Sequence, residues 1–328
     1  MPAAFSPRVC VIGAGPAGMS CALWLHNLGL EATLVDTEKS PGGAMLLNFL
    51  NNNWVLGQRG LSGLEMAARF TEHVESLAIP LLLECRPTRL ARDAHGQFQL
   101  SLETPQGISS VEADAIVLAT GTRFRGREIL IGLPGFGQCD PGRLRYGPHC
   151  FTRLSMLAGK RLLVIGGGDN ALENAALALD AGASVTVVAR NQFRAQARFI
   201  ERLQAAGHCA LHADARLTAL QPSPGGLLAS LEGAAGQWQL EVDRVHLLAG
   251  YAPNTAFLDG ILAAEIAPPL KDERGYLCGD ALGRTSTPGL YVAGDVGNPA
   301  FPNVLSALAQ GAQVAKTIEF DLNQTRPR

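Results

Sequence analysis

The stretch RVCVIGAGPAGMSCALWLHNLGLEATLVD, residues 8–36, decides the fold. Arg8 to Ile12 form a short apolar run that suits a buried strand, and Gly13-Ala14-Gly15-Pro16-Ala17-Gly18 follows without a break. MSCALWLHNLG carries apolar residues at helical spacing and ends at Gly29, and ATLVD closes the unit as a second strand ending in Asp36. Strand, glycine turn, helix, strand and acid in this order predict a βαβ unit that binds a dinucleotide. Gly13 allows the tight turn, Gly15 lets backbone approach a pyrophosphate, Gly18 lets the helix pack on the strand, and the helix amino terminus offers N–H groups to phosphate. Asp36 would accept hydrogen bonds from a ribose.

The pattern returns at Arg161 to Ile165, a second apolar strand followed by Gly166-Gly167-Gly168-Asp169-Asn170-Ala171, a helical ALENAALALDAG and the strand SVTVVAR. Here Arg190 stands where the first unit has its acid. An acid would repel a 2′-phosphate, whereas Arg190 and Arg194 could pair with one, which biases the second site toward NADPH over NADH. The plainer alternative is a pair of solvated surface arginines. Two such units imply two adenine dinucleotides, FAD and NAD(P)H.

Between and after the loops lie strand-like runs: IPLLLECR, FQLSLET and ADAIVLATGT, then VDRVHLLAGYAPNT, then PGLYVAGDV. VLATG ends in small residues that let backbone come close to a cofactor. Asp295, at a strand end after Gly294, is expected to hold a ribityl chain, or else to be an ordinary turn aspartate. A helix is expected from Asn303, after Pro302. The fold class is therefore α/β, with two Rossmann-like dinucleotide-binding domains, each a three-layer ββα arrangement, the second inserted in the first. The FAD-binding domain is expected over 1–121 plus 252–328 and the NAD(P)-binding-like domain over 122–251.

Composition narrows the class. The 328 residues carry 27 Lys and Arg against 29 Asp and Glu, a net charge of −2, so neither nucleic acid nor a membrane surface is an expected partner. No basic leader precedes an apolar core and no apolar run approaches the roughly 18 residues of a membrane span, so a cytoplasmic protein is expected. The seven cysteines include no CxxC, which argues against a disulfide framework or a zinc site, and most are expected to be buried small apolar residues. GHCALHAD, with His208 and His212, reads as a strand, so no metal site is expected there.

GAGPAG, PGGAMLLN with NNWVLG after it, ATGT, GLPG, VIGGGDNALE, FRA, GYAPNT and AGDV with its closing helix together resemble the low-molecular-weight thioredoxin reductase family of pyridine nucleotide disulfide oxidoreductases, nearly end to end. The resemblance implies that Gly13, Gly15, Ala17, Gly18, Asp36, Gly43, Asn53, Thr120, Gly121 and Asp295 hold FAD, with Asn303 and Val304 facing the flavin pyrimidine. It places Gly167, Asp169, Asn170, Ala171, Glu173, Arg190 and Arg194 on the NADPH positions, and it implies a homodimer.

The departures matter as much. The family's CxxC and following acid fall on His149-Cys150-Phe151-Thr152-Arg153, and a one-residue shift recovers Cys150 alone. A dithiol relay needs one sulfur to attack and another to resolve. The family's basic HRR is thinned to Val188-Ala189-Arg190. LAGKRLLVIGGGDNAL is also similar to the ferredoxin or flavodoxin NADP reductases of this fold, which dispense with the CxxC, although the carboxyl end reads as the closing helix of the disulfide reductases.

The expectation is an FAD-dependent oxidoreductase that passes electrons between NAD(P)H and a protein or small-molecule acceptor of ferredoxin or flavodoxin type. Three alternatives stand beside it: disulfide chemistry through Cys139 and Cys150, a second flavin in the altered NADPH site, and a flavin-binding sensor without turnover. His149 is read as a proton donor near the flavin or as a loop histidine.

Overall fold

In the computed structural model, which describes residues 6–148 and 154–324, the opening stretch folds as β1 (Arg8–Ile12), α1 (Pro16–Asn27) and β2 (Glu31–Val35). The two strands are parallel, in register from Arg8 opposite Glu31 to Ile12 opposite Val35. The chain continues through α2 (Gly63–Ser76), β3 (Leu81–Leu82), β4 (Arg86–Arg92), β5 (Phe98–Thr104), β6 (Gly107–Ala113) and β7 (Ala115–Leu118). After β8 (Thr122–Phe124) come β9 (Leu144–Tyr146), β10 (Arg161–Ile165), α3 (Asp169–Asp180), β11 (Ser184–Val188), α4 (Ala197–Gln204) and β12 (Cys209–His212). Then follow β13 (Arg216–Ser223), β14 (Gly226–Gly233), β15 (Gly236–Val242), β16 (Arg244–Leu247), β17 (Tyr251–Pro253), α5 (Leu258–Ile261), β18 (Leu290–Val292) and α6 (Val304–Gln324).

The chain divides into two units, Met1–Arg123 with Ala252–Arg328, and Phe124–Tyr251. Each contains a parallel sheet, ordered β18-β7-β1-β2-β3 in the first and β12-β11-β10-β16-β9 in the second, and an antiparallel meander, β4-β5-β6 or β13-β14-β15.

Side-chain alternation explains the layers of the first unit. Val9 and Val11 of β1 pack with Cys21, Ala22 and Leu25 of α1 and with Val314 and Ile318 of α6. Cys10 and Ile12 turn to the other face, against Phe98, Leu100 and Leu102 of β5. A strand covered on both faces must be apolar at every position, as VCVI is. In the second unit Leu163 and Val188 join Leu220, Leu227, Ala229 and Leu231 of the meander in one cluster, while α3 buries Ala171, Ala175 and Ala178.

Two local departures have clear causes. IPLLLECR is not one strand but two pieces, Leu81–Leu82 in β3 and Arg86 at the start of β4, because Glu84 adopts a left-handed conformation (φ 54°) and turns the chain between them. The N–H groups of Glu84 and Cys85 then donate to the carbonyls of Glu38 and Asp36, which carries the chain across the end of β2. The helix α2 starts at a capping box: the Glu65 N–H donates to Ser62 Oγ, and the Ser62 N–H donates to the Glu65 carboxylate at 2.7 Å.

Candidate functional site

The same turn is built twice. In the first unit the Gly13 N–H donates to the Val35 carbonyl and the Ala119 N–H to that of Ile12; in the second the Gly166 N–H donates to Val188 and the Leu248 N–H to Ile165. Gly13 (φ 111°) passes so close under the end of β7 that a Cβ would lie 2.3 Å from the Ala119 carbonyl oxygen. Gly166 (φ 152°) stands in the same relation to Leu248, also at 2.3 Å. A side chain is excluded at both positions by backbone, and the loop is thereby pressed onto the sheet.

Each loop opens a helix whose first turn is uncapped by any side chain. Gly15 is the N-cap of α1, with Pro16 at the first helical position, and Gly168 is the N-cap of α3. The amino-terminal N–H groups have no intrahelical partner, and they suit an anionic pyrophosphate.

In the first unit most of the predicted FAD residues converge on this turn. Asp36 anchors the loop: its carboxylate accepts the Ala14 N–H at 2.6 Å and the Glu38 N–H at 2.9 Å, and its oxygens keep further lone pairs for a ribose. The Gly42 N–H donates to the Ala14 carbonyl, and Gly43 passes the loop so closely that a Cβ on it would stand 3.1 Å from the Gly15 Cα. Thr120 and Gly121 follow β7; Thr120 Oγ1 donates to the Asn254 carbonyl, and the Asn254 side-chain amide returns a bond to the Thr120 carbonyl, both at 2.8 Å. Gly18 lies where α1 meets the loop, a Cβ there colliding with the Gly13 carbonyl. Asn53 is exposed, and among the described residues no hydrogen bond ties it to the turn.

Asp295 is brought to the same place by α6. Ser20 Oγ on α1 donates to the Leu308 carbonyl on α6 at 2.7 Å, and a Cβ on Gly294 would meet the Ala17 side chain at 2.7 Å. The Asn303 backbone N–H donates to the Asp295 carboxylate, Asn303 Oδ1 accepts the Ser306 N–H, and Val304 begins the helix and packs on the core. Asp295 Oδ1 is buried and partnerless, and burial pushes the carboxyl up to about 6 against the weaker pull of the Asn303 N–H. An orphaned buried acceptor beside an uncapped dinucleotide turn is what the hydroxyl donors of FAD would satisfy, so these residues fit that cofactor.

In the second unit the loop borders a cavity of about 490 Å³ lined by Gly166–Ala171, Val188–Gln192, Arg194, Leu247–Tyr251 and neighbouring side chains. Arg190 and Arg194 are exposed at its edge, and neither has an ion pair among the described residues. Their segment is held to the glycine loop by the Arg194 N–H donating to the Gly167 carbonyl at 2.8 Å and the Gln196 N–H to Asp169 Oδ1 at 2.7 Å. Asp169 thus ties Gln196, two residues after Arg194, to the start of α3. Asn170 and Ala171 line the cavity; Glu173 does not, and burial raises its pKa while Arg198 opposes the shift.

Among the described residues six cysteines are free thiols. Cys139 is buried, its Sγ donates to the Leu220 carbonyl at 3.4 Å within an apolar cluster, and burial raises its pKa. Burial likewise pushes Cys10 up to about 12 and Cys209 to about 11, and raises Cys21 further. Cys278 is exposed. Cys150 and His149 lie outside the described residues. Among the described residues no group of three or more His, Cys, Asp or Glu could hold a metal ion.

Tandem Rossmann-like units, one interrupting the other and each with its own glycine turn, define the class of oxidoreductases that hold two dinucleotides. Residues 7–311 match the family described as pyridine nucleotide-disulphide oxidoreductase, and the chain belongs to it. Members of that family bind FAD and NAD(P)H.

The chain is 29% identical over 318 residues to the F component of alkyl hydroperoxide reductase from Pseudomonas putida, covering 95% of this chain and 57% of that protein. It thus spans little more than half of that relative. It is 26% identical over 303 residues to a ferredoxin–NADP reductase of Ignicoccus hospitalis (92% and 93% covered). It is 27% identical over 310 residues to a thioredoxin reductase of Treponema pallidum (94% of each). Among solved structures, the thioredoxin reductase of T. acidophilum shares the fold with a TM-score of 0.81 at 22% identity, over 97% of this chain and 100% of that one.

Proposed function

We propose that this chain is an oxidoreductase that passes electrons between NAD(P)H, bound at the second loop, and a protein or small-molecule acceptor, using FAD held at the first loop and no internal dithiol. The observation that carries the reading is the duplicated turn, Gly13 under Ala119 and Gly166 under Leu248, in a chain without a CxxC. FAD, when bound, supplies a two-electron acceptor able to pass electrons on singly or in pairs.

The chain's own residues divide the remaining work. The first-turn N–H groups of α1 and Asp36 hold the adenosine pyrophosphate end of FAD, and Asp295 accepts from its hydroxyl chain. The first turn of α3 holds the nicotinamide nucleotide, with Arg190 and Arg194 on the 2′-phosphate, so NADPH is the preferred donor. The enclosed Cys139 thiol supports this reading over a Cys139–Cys150 relay. The ferredoxin and thioredoxin in the names of the Ignicoccus and Treponema relatives favour a small redox protein as acceptor, and a cytoplasmic homodimer belongs to the same reading. Among the described residues no helix is long and apolar enough to cross a membrane.

Anaerobic rapid mixing tests it. NADPH is expected to bleach the flavin faster than NADH at equal concentration, with reoxidation by ferredoxin or flavodoxin; a flavin bleached by neither nicotinamide sinks the proposal.

A further inference from the structure

The cavity of the second unit reaches to both sides of β10. On the β11 side it is lined by Val188–Gln192 and Arg194, and on the β16 side by Leu247–Tyr251 with Phe124, Ile129, Leu130 and Leu133. Between them lie Gly166–Gly168 and the uncapped start of α3. A dinucleotide with its pyrophosphate there must send one nucleoside to each side, because a Rossmann-like site straddles the point where strand order reverses. The arginines match the phosphorylated adenosine. Arg125 apart, the other side is apolar and aromatic, which matches the nicotinamide.

One aromatic ring on that side is fixed to the phosphate site. Asn170, in the first turn of α3, donates its side-chain amide to Tyr251 Oη at 2.6 Å. Phe124 backs the tyrosine, with ring centroids 4.6 Å apart and planes tilted by 37°. Tyr251 remains 37% exposed, so its ring keeps a surface open to the cavity it lines. An oriented ring in an apolar lobe discriminates by stacking, and the Asn170 bond sets its position relative to the pyrophosphate.

We propose that Tyr251 is a specificity-determining residue of the second site: held by Asn170 and backed by Phe124, it forms the wall against which the nicotinamide ring of NAD(P) lies. The inference rests on the reading of this cavity as the nicotinamide nucleotide site.

The test compares two ligands that differ by that ring alone. Calorimetric titration of the FAD-loaded protein with NADP⁺ and with 2′-phospho-ADP-ribose separates ring contacts from those of the adenosine and pyrophosphate. NAD⁺ and ADP-ribose form the matching pair without the 2′-phosphate. In Tyr251→Leu the affinity for NADP⁺ is expected to fall roughly three- to tenfold, the range of an aromatic stacking contact, while 2′-phospho-ADP-ribose binds as in the wild type. Tyr251→Phe, which keeps the ring and loses the Asn170 bond, is expected to fall between the two. Preserved binding of 2′-phospho-ADP-ribose also shows that the variant is folded. Equal weakening of both ligands would assign Tyr251 a purely structural part, and unchanged NADP⁺ binding would remove it from the site; either overturns the inference alone. A wild-type protein that binds none of the four ligands overturns the functional reading and the inference with it.

Discussion

Replacing Asp295 with asparagine should stabilise the cofactor-free protein at neutral pH and weaken FAD binding at the same time. Burial moves this carboxyl from the ordinary value of 3.8 to about 6. A folded-state value above the unfolded one means that the protonated carboxyl favours the folded state. The associated stability is full below about pH 4 and is lost as pH rises through about 6. The difference between 3.8 and about 6, at ~1.4 kcal/mol for each factor of ten in acidity, amounts to about 3 kcal/mol at pH 7.5. Asparagine escapes that cost but sets an amide N–H₂ where Oδ1 has no partner, so a net gain between about 1 and 3 kcal/mol is expected.

Urea unfolding of the apoprotein followed by tryptophan fluorescence measures it. The advantage of Asp295→Asn should be largest at pH 7.5, fall to roughly half near pH 5 and vanish near pH 4. With FAD, the same substitution should raise Kd about tenfold, the difference between a charge-assisted and a neutral acceptor. A variant no more stable at pH 7.5, or more stable by an amount independent of pH, would refute the reasoning.

Arg190→Ala and Arg194→Ala should each raise the KM for NADPH roughly tenfold, from the loss of a charge-assisted pair, and leave that for NADH unchanged; a parallel rise for both coenzymes would return the arginines to the solvated surface. Gly13→Ala should purify without FAD, since its Cβ meets the Ala119 carbonyl at 2.3 Å, whereas Gly166→Ala should retain FAD and lose nicotinamide binding. Cys139→Ala should cost about 1–2 kcal/mol in urea unfolding and leave turnover intact, because the thiol fills core volume and is enclosed; loss of electron transfer to a disulfide substrate would contradict that.

Both glycine turns were legible in sequence because a close backbone approach to phosphate restricts residue type at each step. The acid at Asp36 and the arginine at Arg190 were legible as strand-end positions, one helix length after their loops. Asp295 could be read only as one of two things, since partnerless burial depends on how α6 lies against α1. What escaped reading depends on tertiary pairing. Asp169 bonds Gln196 across 27 positions and Asn170 bonds Tyr251 across 81, and neither spacing has a local signature. IPLLLECR read as one strand because all its apolar residues invite burial; the left-handed turn at Glu84 leaves no mark in hydropathy. The helix α2 was not anticipated, although Ser62-x-x-Glu65 has the spacing of a capping box that could have marked its start.

The central claim, that electrons leave the flavin without an internal dithiol, is tested most directly by an anaerobic reductive titration of the purified protein. Uptake of two electrons per flavin, with one flavin per chain, is the predicted result, since no cysteine pair stores any. Uptake of four electrons per flavin, with two free thiols appearing on full reduction, would contradict it.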